Sequence, residues 1–191
     1  IKGGTIVTIS RIRASQAKRV ISAGGQYVVP GFIDIHVHGS KGRDVMDASY
    51  EAIREIAKFL ASHGTTSFVP TTISAPRSSL LRAVKAVRAA MEKGTDSAEV
   101  LGAHLEGPYI SLEKRGAHDA DHVRFPSIDE FEKIWEASNH AVKIVTLAPE
   151  LGGSKALIQR LQELEIVASV GHSDATYTQT VDAIKQGVQH A

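Results

Sequence analysis

His36 and His38 stand one residue apart at the end of the apolar run Val28-Val29-Pro30-Gly31-Phe32-Ile33-Asp34-Ile35-His36-Val37-His38-Gly39. Alternate side chains of a strand share a face, so both imidazoles point the same way. Two neutral imidazoles converging beyond a buried strand form half of a divalent-metal site. The other half needs an acidic ligand and more imidazoles, which Glu106 and His172 can supply. The chain has no cysteine, so thiolate zinc sites, disulfides and a cysteine nucleophile are excluded and any metal is held by nitrogen and oxygen. The pattern is that of a metal-dependent hydrolase.

Glu106 lies in Gly102-Ala103-His104-Leu105-Glu106-Gly107-Pro108-Tyr109, directly after an apolar stretch. A carboxylate at the end of a buried strand is heavily penalised by desolvation unless a cation or hydrogen-bond donors compensate. Gly107-Pro108 bends the chain away and leaves room in front of it. His104 shares the face of Glu106 one step deeper, as a structural residue or as a further site residue. Asp34 shares the face of His36 and is either a helper or a buried partner. His172 follows a strand in Ala168-Ser169-Val170-Gly171-His172-Ser173-Asp174-Ala175. His118, in the long loop Ile110 to Pro126, is either a functional loop residue or a solvated one. His63, His122 and His140 read as ordinary surface histidines, and His190 is ambiguous.

The elements that must position these residues alternate. From residue 31 onward, five short apolar strands each precede an amphipathic helix. The first helical face carries Ile53, Ile56, Ala57 and Leu60, and the second Leu80, Val84, Val87 and Met91. Ser127 to Glu130 and Thr176 to Gln179 read as capping boxes opening the third and fifth helices. Val181, Ile184 and Val188 form the predicted apolar face of the fifth.

Such alternation indicates a parallel sheet covered by helices, either doubly wound or a barrel. His36 and His38, Thr71 and Thr72, Glu106 and His172 all fall at C-terminal ends of predicted strands. Convergence of several strands on one rim is the habit of a (β/α)8 barrel, and the predicted fold class is therefore α/β with that barrel. A full barrel takes roughly 250 residues, so residues 31–191 are expected to hold its first five βα units, with a sixth strand starting at Gln189. Residues 1–30 alternate like β-strands around a Gly24-Gly25 turn and predict a small β element outside the barrel.

Apolar residues make up 42% and charged residues 23% of the 191, a globular balance, and the net charge of +1 gives no reason to expect nucleic acid or an anionic membrane as partner. No run approaches the ~20 apolar residues of a membrane span, and a cytoplasmic setting is expected.

The motifs Pro30 to Gly39, His104 to Tyr109 and Val170 to Ala175, with Thr146-Leu147-Ala148-Pro149-Glu150, resemble those of the amidohydrolase superfamily, and within it the N-acetylglucosamine-6-phosphate deacetylases. That resemblance implies a principal metal on Glu106 and His172, completed by a histidine just beyond Ala191. It implies a second metal on His36 and His38 bridged by Glu106, with zinc first among candidates that include iron, manganese and cobalt. It implies substrate contacts by His118 and the neighbouring Ala117, and a general acid/base aspartate beyond Ala191. The implied activity releases acetate from N-acetylglucosamine 6-phosphate in a homodimer. The alternatives are a deacetylase of the galactosamine epimer, a cyclic-amide hydrolase, or a scaffold that has lost its chemistry. Against the family, the segment between Thr8 and Arg19 looks short.

Overall fold

The computed structural model describes residues 1–10 and 17–191. The chain runs β1 (Phe32–Val37), a small antiparallel pair β2 (Gly39–Ser40) and β3 (Arg43–Asp44), α1 (Tyr50–Ser62), β4 (Thr65–Thr72) and α2 (Arg77–Lys93). It continues through β5 (Glu99–Val100), β6 (Ala103–Glu106), α3 (Ile128–Ala137), β7 (Val142–Leu147), α4 (Ser154–Glu163), β8 (Val167–Val170), α5 (Tyr177–Lys185) and β9 (Val188–His190).

The main sheet is parallel, in the order β1-β4-β6-β7-β8-β9, with β5 pairing β4 just ahead of β6. That order never reverses. A doubly wound sheet turns back at a switch point, whereas a barrel adds each strand on the same side of the last. The sheet is an arc of a (β/α)8 barrel, and all strand C-termini lie at one rim.

Both faces of the central strands are buried, with different contents. Ala103, Leu105, Val145 and Leu147 join the apolar cluster formed with the helices. His104, Glu106, Ile144 and Thr146 alternate with them and line the barrel cavity. On the outside, Ile53, Ile56, Ala57 and Leu60 of α1 and Leu80, Val84 and Val87 of α2 are buried as the helical period requires.

Two local expectations need correction. The Thr176–Gln179 capping box forms reciprocally, but Ser127 receives only the Glu130 backbone N–H. The Glu130 carboxylate is instead engaged by Arg124 at 2.9 and 2.7 Å, a charge-assisted pair stronger than the neutral cap bond. Val188 is not on α5. Gly187, at φ 118°, ends the helix and frees Val188 to pair with Ala168, so β9 starts one residue before Gln189. Ile184 is left exposed.

Residues 1–30 carry the turn of the expected β element without its ladder. The Gly24-Gly25 turn forms, with both glycines at positive φ and Gln26 N–H donating to Ala23. Yet the flanking residues build no ladder, and the isolated Lys2–Thr5 bridge is the only pairing among the described residues of this segment. Tyr27, Val28 and Val29 are exposed, and among the described residues no strand lies alongside them. Residues 11–16, inside the segment expected to be short, lie outside the described residues.

Phe68 of β4 is fully buried among these side chains. Phe68→Ala should lower stability by about 3–5 kcal/mol, read as a shift of the denaturant midpoint.

Candidate metal centre

Glu106 is the last residue of β6 and is 5% exposed. Its neighbours along the rim come from β1, from the loop between β6 and α3, and from the turn after β8. Oε1 lies 3.2 Å from His36 Nε2 and 3.0 Å from His172 Nε2. Oε2 lies 2.9 Å from His38 Nε2 and 3.4 Å from His118 Nε2. His36 and His38 present their Nε2 atoms 3.2 Å from each other. Tetrahedral bonds of about 2.05 Å put neighbouring ligand atoms about 3.3 Å apart, so this donor set fits a divalent cation such as zinc. The residues form two overlapping groups that share Glu106, one with His36 and His38 and one with His118 and His172.

The second nitrogen of each ring separates the histidines. His38 Nδ1 faces the Thr71 carbonyl at 3.2 Å and His172 Nδ1 faces the Lys114 carbonyl at 3.0 Å. A carbonyl only accepts, so both Nδ1 atoms carry hydrogen, and a metal displacing the proton that Nε2 shares with Glu106 would find the lone pair there. His118 is opposite. Its Nδ1 accepts the Ser74 backbone N–H at 3.0 Å, with the Ser74 hydroxyl at 2.7 Å. Its hydrogen is therefore on Nε2, which can donate but not coordinate.

Loop conformations bring these rings in. Gly107 has φ 67°, and a Cβ there would meet Ser74 Oγ at 2.4 Å, so only glycine lets the loop fold back over Ser74. His172 is itself left-handed at φ 51°, an uncommon state for a side-chain-bearing residue and typical of over-determined functional positions. Its carbonyl accepts the Ser111 N–H at 2.9 Å. Glu150 holds the next turn, accepting from Ser173 Oγ and from Asp174 N–H at 2.7 Å each.

Charge follows geometry. Burial alone would push the Glu106 carboxyl up, but hydrogen bonds from His118 and His38, the charge of His36 and the bond from His172 hold it well below the usual carboxylate range. The Glu106 hydrogen bond raises His38 despite its partial burial. His104 is pushed down to about 4 by burial, with His36 nearby adding repulsion.

The other sequence candidates separate cleanly. Asp34 caps the His36 backbone N–H at 3.0 Å. Ala117 is exposed beside His118. His190 lines the same cavity and bonds Ser169 Oγ at 3.0 Å through Nδ1. His140 stacks on Trp135. Ser74 and Lys114 are the residues that sequence reasoning missed. Lys114 acts through its backbone C=O, so its side-chain type carries no signal, and Ser74, which acts through both its N–H and its hydroxyl, lies 44 residues from His118.

A family model described as "Amidohydrolase family" matches residues 27–191. The N-acetylglucosamine-6-phosphate deacetylase of Bacillus subtilis (strain 168) is 37% identical over 195 residues, covering 100% of this chain and 49% of the relative. The N-acetylgalactosamine-6-phosphate deacetylase of Escherichia coli O157:H7 is 35% identical over 98% of this chain and 48% of the relative. The crystal structure of N-acetyl-D-glucosamine-6-phosphate deacetylase from Mycobacterium smegmatis superposes with a TM-score of 0.80 at 35% identity, over 84% of this chain and 42% of that one. The chain spans about half the length of the curated relatives it matches.

The His104 shift has a consequence for folding. Below the ordinary value of 6.5 an unfolded chain takes up a proton that folded His104 refuses until about 4. Its stabilising contribution is complete above pH 6.5 and lost as pH falls toward 4, by about 3 kcal/mol. Urea midpoints of the metal-free protein should show that slope, and it should flatten in His104→Gln.

Proposed function

The chain belongs to the amidohydrolase family, and from that membership we propose that it forms the metal-holding part of a deacetylase acting on N-acetylglucosamine 6-phosphate, releasing acetate and the free amine. The observation that carries the reading is the division of labour around Glu106. His38 and His172 turn toward the carboxylate an Nε2 that a metal can take over from a proton, while His118 turns an N–H that a metal cannot replace.

Glu106 and His172 would hold the principal cation, and His36 and His38 a second one, with Glu106 shared. A divalent cation bound there acts as a Lewis acid on water and on the amide carbonyl. Zinc suits the nitrogen and oxygen donors and the spacing, and one or two ions per subunit are accommodated. His118 Nε2–H would donate to the amide oxygen as negative charge develops on it. Exposed Ala117 would border the substrate beside it. We assign proton transfer from water to the leaving amine to an aspartate outside residues 1–191, as the family resemblance implies.

The same reading places residues 1–30 in a small β element and residues 31–191 in the first five βα units of the barrel. The sheet starting at Phe32 and the family match starting at residue 27 support that boundary. Among the described residues no helix is long and apolar enough to cross a membrane. We place the enzyme in the cytoplasm as a homodimer.

A galactosamine-directed activity is the second reading, favoured by a relative of that name at nearly the same identity. Acetate release from the two epimeric 6-phosphates separates them, with the glucosamine epimer expected to turn over faster.

His172→Ala should lose the principal ion by elemental analysis and lose acetate release with it; full activity in that variant would end the assignment. His118→Ala should keep its metal and lower kcat by about 10²–10³, the usual loss on removing one oxyanion donor.

A further inference from the structure

We propose that His104 is a positioning residue that staples the bulged end of β1 to the barrel interior and so sets where His36 and His38 meet a second cation. The inference rests on the metal-hydrolase reading above and concerns a residue outside that ligand set.

The backbone of β1 needs such a staple. Its pairing with β4 runs Asp34 opposite Phe68 and then Val37 opposite Pro70, three steps on one strand against two on the other. One residue is therefore extra in β1, and the ladder is broken where His36 sits. Pro70 has no N–H to give across the gap. Among the described residues β1 has no other neighbour in the sheet. Its freed groups turn to side chains instead. Val37 N–H donates to Thr71 Oγ1 at 3.0 Å, and the Ile35 carbonyl lies 3.1 Å from His104 Nδ1.

The Ile35 carbonyl accepts only, so His104 carries its hydrogen on Nδ1 and accepts on Nε2. Thr146 Oγ1 sits there at 2.8 Å. Both ring nitrogens are thus committed, and neither is free to bind metal. The buried ring meets His36 edge-on, with centroids 4.9 Å apart. His104 therefore joins three strands: β6, which carries it, β7 through Thr146, and β1 through Ile35. The other half of the centre does not depend on the Ile35 bond. Glu106 is fixed by the β6–β7 ladder, and His172 by Lys114 and Ser111.

The two amide replacements divide the ring's functions. Asparagine places an N–H where Nδ1–H was and keeps the Ile35 bond. Glutamine reaches the Nε2 position near Thr146 and gives up Ile35. The full chain, freed of metal and titrated with Zn²⁺, is assayed for ions per protein, with circular dichroism recording the folded state. Wild type and His104→Asn should each take up two zinc ions. His104→Gln should keep one at unchanged affinity, and bind the second about 10–100-fold more weakly. Two ions of wild-type affinity in folded His104→Gln would overturn the proposal. So would a single ion in folded His104→Asn, which decides the matter even where the glutamine variant fails to fold. Wild type taking up no zinc would instead overturn the metal-hydrolase reading itself, and the staple's role with it.

Discussion

Burying one carboxylate at the end of a strand is the constraint on which this structure turns. Glu106 is withdrawn from water at the tip of β6, where an uncompensated charge would be strongly destabilising. Compensation comes from four imidazoles on three other segments. Each segment has to end at the same height and turn inward there. The parallel sheet meets that demand because its strands all finish at one rim, whereas antiparallel neighbours would send alternate ends to opposite sides.

The loops turn that common height into chemistry. Gly107 folds the chain back so that Ser74 meets His118, and the left-handed backbone at His172 presents its ring to both Lys114 and Glu106. Arg124 ties the far end of the same loop to Glu130 at the start of α3 and to the carbonyl of Ala75. Local strain and a half-buried ion pair are features that a helix or strand alone would not require. They occur here where the backbone must deliver four rings to one carboxylate.

Much of this was legible in the sequence. Strand ends marked by His36, Glu106 and His172 are visible because apolar runs stop there at ligand-type residues, and the helical faces of α1 and α2 follow from their period. What was not legible depends on partners that the local pattern does not reveal. His104 looks like a second inward residue of β6, and only the bulge in β1 shows what it holds. The Ser127 box looks complete until Arg124, three residues earlier, takes its glutamate. Strand-like alternation in residues 1–30 is genuine, but a ladder needs a neighbour, and none lies beside Tyr27 to Val29 among the described residues. Val188 kept a helical spacing, yet Gly187 had already ended the helix.

The sorting of the histidines by their Nδ1 partners also bears on how such centres diverge. For the rings that face Glu106, a carbonyl behind the ring leaves Nε2 able to take a metal, and an amide behind it makes Nε2 a hydrogen donor, although the residue is the same in both. Rotating a single peptide plane, at Ser74 or at Lys114, would exchange those jobs without altering any histidine. Descendants of this scaffold can therefore retain every imidazole and still differ in how many ions they hold, which a comparison of side chains alone would never reveal.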